Sequence, residues 1–136
     1  MRKLSISILT LLVILVVGFF TLGPGYKWKT RSFFEQAKRT TSLSQIQQWA
    51  LTEIGRAGTE RTELDSPPSF LDMPDDGAPN YVYIEPGDGQ PYLVAQWGDG
   101  FGHWGLLVGD ESLEYPIDDY FHIRWAPGVY VWHEIQ

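Results

Sequence analysis

The chain contains no cysteine. That removes a disulfide frame, a thiolate metal site, a cysteine nucleophile and a lipidated cysteine, so stability has to come from packing. Positive charge is nearly absent from the second half. Residues 62–136 carry Arg124 alone against fourteen acidic residues, whereas residues 1–61 carry nine Lys/Arg against three acids. Affinity for nucleic acid rests on Lys and Arg neutralising phosphates, so no nucleic-acid partner is expected for so acidic a body. Hydrolase and phosphate-binding templates are missing too: there is no Gly-x-Ser-x-Gly elbow, no His-Glu-x-x-His pair and no Gly-x-x-x-x-Gly-Lys loop. No enzyme class stands out.

What is present argues for a packed body. Hydrophobic residues make up 43% and aromatics 15%, with six Trp, which excludes a disordered chain. Residues 4–22, LSISILTLLVILVVGFFTL, run without a charge behind Arg2 and Lys3. At 1.5 Å per residue they would span roughly 28 Å, close to the ~30 Å of a bilayer's hydrocarbon layer. A cleaved leader usually has only ~7 to 15 apolar residues, so the reading is an uncleaved signal-anchor that contacts the lipid bilayer through residues 4–22. Lys27, Lys29, Arg31, Lys38 and Arg39 follow. Counted alone they place the rest of the chain in the cytoplasm; the signal-like start argues the reverse, and an extracytoplasmic domain is favoured, the cations serving as a headgroup clamp.

Gly23-Pro24-Gly25 should end the apolar helix. Ser32-Phe33-Phe34-Glu35 and Ser42-Leu43-Ser44-Gln45 both have capping-box spacing. After the second, Leu43, Ile46, Ala50 and Ile54 recur at helical period beside Trp49, which predicts a helix over 43–57 stopped by Gly58. Residues 58–80 hold four Pro and no periodicity and read as an irregular acidic connection. Asp72, Asp75, Asp76 and Gly77 lack the alternating ligands of a calcium loop, and a solvated loop is expected. From 81 onward the segments 81–85, 91–97, 103–108, 120–125 and 129–135 read as strands separated by Gly and Pro. The expected fold is α+β, with an N-terminal transmembrane helix and one amphipathic helix packed on an antiparallel meander of about five strands. The matching organisation is an anchor over 1–25, a basic juxtamembrane segment over 26–42 and a soluble domain over 43–136.

Gly-Phe-Gly-His-Trp-Gly at 100–105, Pro-Gly-Val-Tyr at 127–130 and Gln47-Gln48-Trp49-Ala50 carry a resemblance. The chain is similar to an uncharacterised family of small membrane-anchored bacterial proteins with these elements, and the resemblance brings no activity with it. The same run formally matches the dinucleotide fingerprint, but it precedes strand residues rather than a helix, so its glycines are read as turn formers, with Gly105 leaving room for a neighbouring Trp.

Two constellations could carry function. A loop of Pro127-Gly128 would pair His122 with His133 on one face of the last hairpin, their Cβ atoms ~5 Å apart. That pair could hold a divalent metal with His103, Asp99 or Asp110 as third ligand. Trp49, Trp97, Trp104, Trp125 and Trp132 are expected mainly in the core. Tyr81, Tyr83 and Tyr92 form the best exposed cluster, because the 86–89 loop would pair Tyr83 with Tyr92; with His103 and Trp104 they are the candidate binding residues. Three functional readings follow. The first is a membrane-tethered, non-enzymatic module that binds a protein or cell-envelope polymer. The second is a small metal- or His-dependent enzyme using His122 and His133. The third is a pseudopilin-like assembly subunit, although Gly18-Phe19 lies near the end of the apolar run where that family's processing motif precedes it.

Overall fold

The computed structural model describes residues 2–22, 25–98, 102–117 and 121–135, with the side chains of 2–7, 20–22, 26 and 135 left aside. Three helices lead the chain: α1 (Arg2–Leu22), α2 (Gly25–Thr40) and α3 (Leu43–Arg56). Six strands follow: β1 (Thr62–Glu63), β2 (Tyr81–Glu85), β3 (Tyr92–Trp97), β4 (Gly102–Gly109), β5 (Phe121–Ala126) and β6 (Val129–Ile135). They form one antiparallel sheet in the order β1-β2-β3-β4-β6-β5. The α+β class and the strands expected after residue 80 are found. A two-residue edge strand in the 58–80 connection was not foreseen, and the strands are not a plain meander.

The membrane anchor is not upheld. Among the described residues no helix is long and apolar enough to cross a membrane. The single-pass localisation and the signal-anchor, with its orientation, lose their basis with it. Ile8, Leu9, Leu12, Ile14 and Leu15 are each more than half exposed, and none of the described side chains of α1 belongs to either core cluster. The expected break at Gly23-Pro24 lies outside the described residues.

The 26–42 stretch is structural. Thr30, Phe33, Gln36 and Ala37 recur at helical spacing and are buried, so α2 lays one face on the sheet. Ser32 therefore sits inside a helix rather than capping one. Ser42 does stand at the N-cap of α3, though its hydroxyl meets Ser44 at 2.9 Å instead of a backbone amide. α3 buries Ile46 and Ala50 and half-buries Leu43, Trp49 and Ile54, the stripe read from its period.

Strand alternation divides the sheet into two faces. Val82, Ile84, Leu93, Ala95, Trp97, Leu106, Val108, Val129 and Val131 point toward the helices and make the main core. Tyr83, Tyr92, Val94, Leu107, Tyr130 and Trp132 point the other way. Part of this second face is roofed by residues 110–117, whose Leu113, Tyr115 and Ile117 alternate inward, with the Tyr130 hydroxyl donating to the Leu113 carbonyl at 2.8 Å. By crossing here the connection carries β5 past β6 to the sheet edge, leaving β6 beside β4. That crossing replaces the expected meander.

Candidate functional site

The open part of the second face lies over β1, β2 and β3. Register places Glu63 opposite Tyr83, Tyr83 opposite Val94, Tyr81 opposite Gln96 and Glu85 opposite Tyr92. The expected Tyr83–Tyr92 pair is thus offset by two residues. The hairpin has more loop than the 86–89 turn assumed, and Tyr92 lies diagonal to Tyr83 on the same face, a separation aromatic side chains still bridge. Tyr81 is 59% exposed, while Tyr83 and Tyr92 are half-buried.

Arg61, just before β1, lays its guanidinium over the Tyr83 ring at 3.9 Å from the centroid and reaches the Glu85 carboxylate at 3.0 Å. Burial pushes the Tyr83 phenol above its ordinary range; Arg61 opposes this, and Glu85, Tyr92 and Glu134 add to it. Burial and then Glu85 raise Tyr92 as well. Both phenols therefore stay protonated donors at neutral pH. Beside Tyr81 a groove of about 230 Å³ is lined by Glu63, Asp65, Pro67, Pro79 and Asn80.

His103 also points to this second face and sets Nδ1 3.6 Å from the Glu134 carboxylate. Trp104, its neighbour in sequence, faces the helices. There Lys29 Nζ sits 4.3 Å from the Trp104 ring centroid, and His133 stacks on Trp104 with centroids 6.2 Å apart. Lys29 pairs with Asp76 at 2.9 Å, Gln36 Nε2 donates to the same carboxylate at 2.8 Å, and the Asp75 amide donates to Gln36 Oε1 at 2.8 Å. The Asp76 side chain is only 6% exposed, so this part of the supposed solvated loop docks α2 onto the body. Desolvation and then the charge of Lys29 push the buried His133 below the usual imidazole range.

The two histidines of the last hairpin are not brought together. A β-bulge between Arg124 and Ala126 slips the register by one, so His122 faces Trp132 and His133 faces Phe121. One residue of slip sends a side chain to the opposite face. His122 stacks on Tyr115 of the roof at 3.9 Å between centroids, and His133 is on the helix side. Of the proposed third ligands, Asp110 binds the Ser112 amide and hydroxyl at 2.9 and 2.7 Å, and Asp99 lies outside the described residues. Among the described residues no group of three or more His, Cys, Asp or Glu is placed to hold a metal ion.

Sequence reasoning missed Arg61, Glu63 and Gln96 as members of the tyrosine face. Their signal was weak: Arg61-Thr62-Glu63 is too short to show strand alternation, and Gln96 becomes a face residue only once the register is known. The room left by Gly105 is taken by Trp132, as a side chain there would lie 3.1 Å from Trp132 Cζ2 and strike the Ala95 carbonyl. Comparison with family models, with curated proteins and with solved structures finds no match to this chain.

Proposed function

We propose that the protein is a non-enzymatic binding module that presents the tyrosine-bearing face of its sheet to a protein or to a cell-envelope polymer. The observation that supports this is the grouping of Tyr81, Tyr83 and Tyr92 on the face turned away from the helices, with Tyr81 59% exposed. Aromatic rings that keep an accessible apolar surface and a polar hydroxyl are typical of recognition surfaces, since they bury large area at little entropic cost. The half-buried Tyr83 and Tyr92 pack against a buried cluster that includes Val94 and Leu107, so part of the cost of ordering these rings is met before a partner arrives.

The test uses the full chain, immobilised, against chitohexaose as a glycan probe and a hexa-arginine and a hexa-serine peptide as protein-like probes. Tyr81→Ala with Tyr92→Ala is expected to abolish binding of whichever probe is retained while the melting temperature moves by only a few degrees. Retention that ignores both tyrosines sinks the reading.

A further inference from the structure

Resting on that reading, we infer that the occupant of the tyrosine face is a cationic protein segment, whose Arg or Lys side chains seat on rings flanked by carboxylates. The molecule already shows the recognition in miniature. Arg61 lies flat on Tyr83 at 3.9 Å with Glu85 at 3.0 Å closing the ion pair, so one ring and one carboxylate of this face are spaced to hold a guanidinium.

The same pairing recurs one step along β2, where no cation of the chain fills it among the described residues. Tyr81 is the most exposed of the three rings, and the groove beside it is lined by Glu63, Asp65 and Asn80 among others. Glu63 and Asp65 are exposed and form no ion pair among the described residues. Glu63 lies opposite Tyr83 and so diagonal to Tyr81 on the same face.

Charge complementarity selects between the two partner classes. Residues 62–136 carry fourteen acids and Arg124, a field that draws cationic partners in and repels anionic ones. A neutral glycan laid over Tyr81 would offer Glu63 and Asp65 hydroxyl donors but no counter-charge, and a carboxylate buried without one keeps part of its desolvation cost. A basic segment supplies that charge and uses the ring as well. The Tyr83 and Tyr92 phenols, which burial lifts further above the ordinary range, carry no charge at neutral pH and remain available as donors to the segment's carbonyls.

The experiment is equilibrium binding of hexa-arginine and of chitohexaose to the full chain at ~0.15 M salt, where long-range charge effects are screened beyond ~8 Å. Four proteins are compared: the parent, Tyr81→Leu, the double variant Glu63→Gln with Asp65→Asn, and a charge-matched control, Asp72→Asn with Glu114→Gln. Tyr81→Leu leaves net charge alone and is expected to weaken hexa-arginine binding about fivefold, the order of one exposed cation–π contact. The Glu63/Asp65 variant is expected to weaken it about tenfold and the control less than twofold, as distant charges act only through the screened field. Equal weakening by the control, or no effect of Tyr81→Leu, overturns the inference. Chitohexaose bound through the tyrosines with no hexa-arginine binding overturns it too, but leaves the binding-face reading standing; loss of tyrosine dependence for both probes removes both.

Discussion

At Gly105 the backbone is in ordinary strand conformation, and what demands glycine is space. An added Cβ would strike the Ala95 carbonyl and crowd the Trp132 indole. Gly105→Ala should therefore push β3 and β4 apart locally and cost about 1–3 kcal/mol or more in urea unfolding. Gly58→Ala, where nothing lies within 4 Å, should stay within about 0.5 kcal/mol of the parent. Equal effects at the two sites would contradict the packing argument. Trp97 is a second single-residue test. It is fully buried, packs tilted against the Phe33 ring with centroids 4.9 Å apart and donates its indole N–H to the Gly77 carbonyl at 2.9 Å. Trp97→Phe keeps most of the ring but drops the donor, and a loss of about 1–3 kcal/mol is expected, chiefly from the smaller volume with the lost hydrogen bond added, since the Gly77 carbonyl keeps the Met73 amide as a donor. A Trp at 97 was legible as core from its place in an apolar run; its hydrogen bond to a turn twenty residues earlier was not.

Helices α2 and α3 show how legibility varies from one element to the next. The stripe of α3 is apolar throughout, so local period alone reveals it. In α2 the buried face includes Thr30 and Gln36, and the remainder is rich in cations, so the run reads as a basic surface segment. Its inward face is acceptable only because the 73–77 turn supplies partners: Gln36 bonds both the Asp75 amide and the Asp76 carboxylate. Gln36→Ala should take the partner from the Asp75 amide and leave the Asp76 carboxylate with Lys29 alone, destabilising by about 1–3 kcal/mol, measured as a shift in the urea midpoint. A neutral result would mean that the turn does not hold α2. The β5–β6 hairpin fails for another reason. Its turn was located correctly, with Gly128 at φ +71°, yet the single extra residue near Trp125 reverses the facing of everything before it in β5.

For the molecule as a whole, pH couples to folding through His133, where β6, Trp104 and α2 meet. The native state holds it neutral because burial and then Lys29 depress its proton affinity, whereas in the unfolded chain it protonates near pH 6.5. Below that value the unfolded state binds more protons than the native one, so the stability present above about pH 6.5 falls as pH drops toward the depressed native value. Denaturation midpoints taken from pH 7.5 to pH 5 should decline for the parent and decline less for His133→Phe; identical slopes would assign the dependence elsewhere. The amino-acid sequence by itself determined the acidic character of the sheet-forming half, the α3 stripe, the five longer strands and the room at Gly105, because charge, period and turn chemistry act between neighbours along the chain. Tertiary structure alone decided that β6 inserts beside β4, that α2 joins the body and that His122 and His133 part to opposite faces. It also decided that Arg61, Glu63, Tyr81 and Tyr92 share one surface. Those outcomes depend on register and on contacts between distant segments, where a shift of one residue exchanges inside for outside.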